Sequence, residues 1–404
     1  MSLQTALTGL LGAQTGLDTV SNDLANASTT AFKSQSALFS DIYPAGAGNV
    51  PGIGVTTSSI SSDFAQGGLV STGNPLDAAI QGNGFFIVSQ NGQQQYTRDG
   101  SFQLNSTGQL VTSTGAKVLG YQGASTSGSL TPITINTGAV PGKATSNVGL
   151  VLNLDSGASA PANATFSPTA PDSYTASTSV VAYDSLGNAN NVQLYLVAQP
   201  VANATTSYAV YADPTTSTGT SLGSPPYTPM TTLNFNSSGQ LISGSPATLN
   251  VNWGNGAANS AITFDLTNTS LGNQSFAVTD TNNDGSAPGS YSGTTISSNG
   301  ILQSTYSNGK TLTAGTIGIA NFLNQDGLTS VSGNLYAENL SSGQPVVNVP
   351  GAGQAGTLSG GNLEQSNAST SSLLVSLIQY QQAYQANTSV IQTEQQDSTR
   401  LTQI

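Results

Sequence analysis

Apolar positions at both ends of the chain recur at helical spacing. Near the start they fall at Leu3, Ala6, Leu10, Ala13, Leu17, Val20, Leu24 and Ala27, in steps of three and four. That period keeps one stripe of side chains on one helix face, so residues 3–27 are predicted as an amphipathic helix. Gly9, Gly12 and Gly16 interrupt it, each weakening the helix by up to about 1 kcal/mol relative to alanine. Asn26, then Ser28, Thr29 and Thr30, bring helix-ending and turn chemistry. A second stripe runs through Leu373, Leu377, Tyr380, Tyr384, Asn387 and Ile391 and on to Leu401. Both are seams made for a partner helix. They carry small or polar residues (Ala6, Ala13, Asn387) and would bury little as an isolated pair. Packing among many subunits is therefore expected to order them, with the β domains carrying the fold of the free subunit.

Between the ends the period changes to two. Phe85 to Val88, Tyr96 to Arg98, Phe102 to Leu104 and Leu110 to Thr112 are short strands separated by Asn91-Gly92, Asp99-Gly100 and Ser106-Thr107-Gly108. Regular spacing of short strands and turns predicts an antiparallel β domain. A looser β texture follows, with strands at Ser173 to Tyr183, Asn191 to Val197, Leu249 to Trp253 and Ile262 to Leu266, and loops over 155–172 and 199–230. From about Ile296 the first pattern returns. The expected fold is mainly β with terminal α-helices. The N- and C-terminal helices pair as a coiled-coil-like domain, with two nested antiparallel β domains between them. The expected domains are 1–30 plus 362–404 (helical polymerisation domain), 31–72 (extended connector anchored by Phe32 and Phe39), 73–144 plus 286–361 (β domain) and 145–285 (inserted outer barrel or sandwich).

Composition narrows the chemistry. Charged residues make up 6% of the 404 residues, against roughly 25% in a typical soluble domain. With 6 basic and 18 acidic residues the net charge is −12. No basic footprint for nucleic acid or anionic lipid exists, and no apolar run approaches the roughly 20 residues of a membrane span. The start of the chain lacks the charged and apolar regions of a cleaved signal. Without His or Cys, triad catalysis and His- or Cys-ligated zinc are excluded. The Asp280-to-Gly285 stretch opens like a calcium loop, but Tyr291 stands where the bidentate Glu is required, so it reads as a polar turn. Asn308-Gly309-Lys310-Thr311 reads as a hairpin turn rather than a phosphate loop. No catalytic residue, cofactor or metal is expected.

Four sets of residues carry a resemblance. Asp18 to Lys33 resembles the N-terminal motif of the rod-and-hook axial protein family of the bacterial flagellum. Gly84 to Val88 with Tyr96 to Phe102 resembles that family's β segment. Asn362 to Asn367 and Gln381 to Asn387 resemble its C-terminal motif. Thr305 to Gly309, Ile317 to Phe322 and Asn334 to Glu338 are similar to hook members in particular, and the length agrees. Ala31 stands where the family usually has glycine, so a blunter turn before Phe32 is expected.

The resemblance implies a non-enzymatic subunit that polymerises into a hollow curved tube, the universal joint between rod and filament. It implies export by the flagellar type III apparatus without a cleaved signal, and an extracellular place in the hook. The implied partners are copies of itself, the distal rod protein, the hook cap and the hook–filament junction proteins. The terminal stripes are the implied polymerisation residues. A surface adhesin or stalk and a distal-rod-type protein stand as alternatives.

Overall fold

The computed structural model describes residues 2–43, 52–200, 206–216 and 219–402, which form two compact units. The first comprises Met1–Asn136, Gly293–Thr305 and Thr311–Ile404; the second comprises Thr137–Ser292 and Tyr306–Lys310.

In the first unit, helix α1 (Ser2–Ala25) and helix α2 (Thr370–Thr402) pack against each other. Most of the β structure is a 13-stranded sheet. Its tightest turn is Asn91-Gly92, joining strands Phe85–Gln90 and Gln93–Thr97. Both turn residues have positive φ (52° and 81°), the geometry that matches strand twist and that Asn-Gly tolerates best. Phe85, Tyr96, Phe322, Tyr336 and Phe64 fill the core beside this sheet in edge-to-face contacts.

The second unit is a sandwich. Two five-stranded sheets share one core. Strand Asn147–Asp155 buries alternate residues Val148, Leu150, Leu152 and Leu154. The facing sheet contributes Val192, Leu194, Leu196, Tyr208, Val210, Leu233 and Phe235.

Four expectations are corrected. Segment 31–72 is not simply an extended connector, because it folds as an antiparallel ribbon of β1 (Gln35–Ile42) and β2 (Gly54–Ser62). Its tip, 44–51, lies outside the described residues. The terminal segment is not helical from 362, since Asn362–Glu364 is a strand paired with Leu69–Ser71. Within the expected loop 199–230, Thr206–Thr215 is a central ten-residue strand; 201–205 and 217–218 lie outside the described residues. The sandwich is also mixed, because Asn147–Asp155 runs parallel to Ser260–Asp265 and Ser270–Gly272.

Candidate assembly site

The two helices meet through small residues. On α1 the buried positions include Ala6, Gly12, Ala13, Gly16, Thr19, Val20 and Asp23. Gly9 lies against the Asn387 amide, and Gly16 lies against the Tyr380 ring so closely that a Cβ there would collide with it. Two of the glycines that weaken α1 locally, Gly9 and Gly16, thus lie directly against α2, whereas Gly12 lies against Val55 and Phe39 of the ribbon. This face overlaps only part of the predicted stripe. Val20 is buried, Leu10, Leu17, Leu24 and Asn26 are half-buried, and Leu3 is 48% exposed. Asn26 serves the helix end, donating to Asn22 O at 2.9 Å and accepting from Thr29 Oγ1 at 3.0 Å.

Along α2, Tyr380 and Asn387 of the predicted stripe lie against Gly16 and Gly9 of α1. Leu373, Leu377, Tyr380, Asn387 and Ile391 are half-buried, and Tyr384 is 36% exposed. Among the described side chains of α2 none is fully buried. The side chain of Leu401 lies outside the described residues. Apolar side chains therefore remain in water on both helices: Leu3, Leu7 and Leu11 on α1, and Leu374, Val375 and Ile378 on α2. Beside the pair, α1, the ribbon and α2 enclose an apolar notch of about 200 Å³ lined by Gly9, Gly12, Ala13, Phe39, Val55, Tyr380 and Ala383. Phe39 is 37% exposed on its rim, whereas Phe32 is buried.

Behind the helices lies a node that the stripes do not reveal. Lys33, Arg98 and Glu364 are each at most 2% exposed. Lys33 Nζ is 2.7 Å from Glu364 Oε1 and Arg98 Nη1 is 3.4 Å from Oε2. Gly67 N–H also donates to Oε1 at 2.9 Å, Lys33 donates to Ala65 O at 2.7 Å, and Arg98 donates to Gly82 O at 2.8 Å while lying over the Phe85 ring. Burial pushes both cations below their ordinary pKa, and the Glu364 carboxylate opposes this. Asn367 adds a second clasp: its Oδ1 accepts from Ser34 N–H at 2.7 Å and its Nδ2 donates to Asp63 O at 2.8 Å. Ala31 N–H donates to Glu364 O at 2.8 Å, and Ala31 itself has φ +56°. The blunter turn expected there does not occur, because buried contacts hold alanine in the left-handed conformation. The node joins the exit of α1, the ribbon, the β sheet and the strand preceding α2.

Asp23 closes the exit of α1. Its carboxylate is fully buried and accepts from Gln35 N–H at 2.9 and 3.1 Å. Burial raises its pKa from 3.8 to about 6, and the Gln35 N–H only partly offsets this. The folded-state value lies above the unfolded one. The favourable contribution is thus complete below about pH 4 and lost as pH rises through 6. Asp23→Asn is expected to stabilise the first unit at pH 7 by about 2 kcal/mol and to flatten its stability between pH 4 and 6. Denaturant melts across that range check this, and an unchanged pH slope would refute it.

Asp284, in the stretch that resembled a calcium loop, is already engaged. It accepts from Ser146 and Asn147 N–H at 2.9 Å each and from Lys143 Nζ at 3.0 Å. Burial pushes its pKa up, but these donors outweigh it and bring the pKa down to about 2. Among the described residues no group of three or more acidic side chains is placed to hold a metal ion.

Comparison with known proteins decides the family. Residues 79–150 match the flagellar hook protein FlgE/F/G D1 domain, 153–286 the flagellar basal body protein FlaE D2 domain, and 359–404 the flagellar basal body rod FlgEFG protein C-terminal region. The flagellar hook protein FlgE of Salmonella typhimurium is 35% identical over 410 residues, covering 98% of each chain. That of Escherichia coli is 35% identical over 417 residues, with the same coverage. The chain belongs to the flagellar hook protein family. Its fold is also that of the Helicobacter pylori flagellar hook protein FlgE2, with TM-score 0.56 and 16% identity over 72% of this chain and 98% of the other. Its function is that of a structural subunit of the bacterial flagellar hook, in a family that self-polymerises in the context of the flagellar basal body. Among the described residues no helix is long and apolar enough to cross a membrane.

Proposed function

We propose that the terminal helices build the wall of a hollow curved tube that transmits torque as a universal joint between rod and filament. The observation carrying this reading is the thin α1–α2 seam, which leaves apolar rows on both helices in water. Two helices of 24 and 33 residues with so much uncovered apolar surface gain stability only when other copies cover it. Leu10, Leu17, Val20, Leu24, Leu373, Leu377, Tyr380, Tyr384, Asn387 and Ile391 hold each subunit's pair together, Asn26 closes the end of α1, and the outer rows, Leu3 among them, join copies. The distal rod protein, hook cap and hook–filament junction proteins meet the ends of this tube, and the subunit reaches it through the flagellar type III export apparatus without a cleaved signal. Contacts in a rotating bent tube must shift once per turn. A surface of Ser, Thr, Asn and Gln offers many near-equivalent hydrogen bonds, whereas ion pairs would hold one register. Among the described residues the second unit has one ion pair, Lys143–Asp284, and it is internal.

The test is Leu7→Asp combined with Ile378→Asp. Both side chains are about half exposed, so the subunit is expected to melt as before while tube formation, scored by electron microscopy, is lost. Normal tubes from this variant would refute the reading.

A further inference from the structure

Leu340 is 103% exposed and Leu323 is 99% exposed, the highest values among the exposed large hydrophobic residues. Neither belongs to a helix or strand. Scattered exposed leucines are ordinary on mobile loops. Here the loop is held rigidly. Asn339 Oδ1 accepts from Ser341 and Ser342 N–H at 2.7 and 3.0 Å, and Asn339 Nδ2 donates to Gly327 O and Thr329 Oγ1. The fully buried Ser342 hydroxyl accepts from Asn339 N–H and donates to Asn339 O, each at 2.9 Å. Asn324 Nδ2 donates to Ser341 O at 3.0 Å, which ties the Leu323 loop to the same turn. The acidic side chain nearest Leu340 in sequence, Glu338, is turned to the Tyr96 hydroxyl at 2.8 Å, and the one nearest Leu323, Asp326, is exposed. A bare aliphatic side chain on a pre-organised, uncharged turn binds without the usual cost of ordering it.

The complement lies in the same unit. The notch lined by Gly9, Gly12, Ala13, Phe39, Val55, Tyr380 and Ala383 contains no charged residue. At about 200 Å³ it admits one or two aliphatic side chains and no helix. The outer rows of α1 and α2 run along whole helix faces and suit helix-to-helix contact, so a single protruding side chain suits the notch better. Among the described residues nothing covers Leu340, which leaves it free to meet the notch of another copy.

We propose that Leu340, with Leu323 beside it, seats in the helix–ribbon notch of a second copy of this chain. The proposal rests on the self-assembly reading above and adds a contact made by the β part of the first unit. A knob and a hole on different parts of one surface can repeat head to tail from copy to copy, which is the contact an open helical array is built from.

The sequence has no cysteine, so single cysteines report contacts cleanly. Full-length chains carrying Leu340→Cys and Val55→Cys are mixed, assembled and oxidised. A disulfide-linked dimer is expected from the mixture and from neither variant alone. Separately, Leu340→Asp is expected to leave the subunit's melting unchanged and to raise the critical concentration for assembly about tenfold or more. Tubes without the mixed disulfide would overturn the notch as the seat. Normal assembly of Leu340→Asp would overturn the contact altogether. Absence of tubes from the unmodified chain would instead defeat the self-assembly reading.

Discussion

Glu364→Gln is expected to destabilise the first unit by about 3–5 kcal/mol, because it leaves Lys33 and Arg98 as two buried cations without the carboxylate they share. The side-chain amide still reaches Gly67 N–H, so the loss is electrostatic rather than one of volume. The chain contains only six basic residues, and two of them are spent here, away from the surface. Such a cluster specifies one arrangement of four segments that are far apart in sequence. Replacing all three members by apolar residues (Lys33→Met, Arg98→Met, Glu364→Leu) is expected to cost less than Glu364→Gln alone. The single tryptophan, Trp253, lies in the second unit and provides an internal control. Helical circular dichroism should be lost earlier in denaturant for Glu364→Gln while the tryptophan fluorescence transition stays in place. Coincident, unshifted transitions would refute the role given to the node.

The node also marks where periodicity stops informing. Hydrophobic spacing located both terminal helices and the four strands between Phe85 and Thr112, because buried faces repeat at the period of the backbone. It could not locate Thr206–Thr215, whose sequence Thr-Ser-Tyr-Ala-Val-Tyr-Ala-Asp-Pro-Thr mixes polar residues and a proline into a strand whose place is fixed by its neighbours. Nor could it show that the ribbon from Gln35 to Ser62 folds onto α1, since most of its side chains are exposed and its pairing comes from the backbone. Glycine was ambiguous for a similar reason: Gly9 and Gly16 lower helix propensity, yet they let α2 approach. One signal for the node was present. Lys33, Arg98 and Glu364 each stand inside a separate motif of a chain almost without charge, and three isolated charges in such motifs call for mutual neutralisation.

The second large effect is expected in the other unit. Trp253 is fully buried among Val251, Ile262, Phe264 and Leu266, and its Nε1–H donates to Ser260 Oγ at 2.9 Å. Trp253→Ala opens the largest cavity a single change can make in this sandwich and leaves the buried Ser260 hydroxyl without that donor, at a cost of about 3–5 kcal/mol. Trp253→Phe keeps most of the volume and should cost clearly less. Scanning calorimetry of the full chain should show one transition moving to lower temperature in Trp253→Ala while the other stays. The two units have separate cores, so their stabilities should respond separately. The same variant should therefore keep its helical circular dichroism after the sandwich has melted, since α1, α2 and the Glu364 node belong to the first unit. A single transition shifted as a whole would mean that the sandwich core stabilises the entire subunit, and that the node alone does not maintain the helix-bearing part.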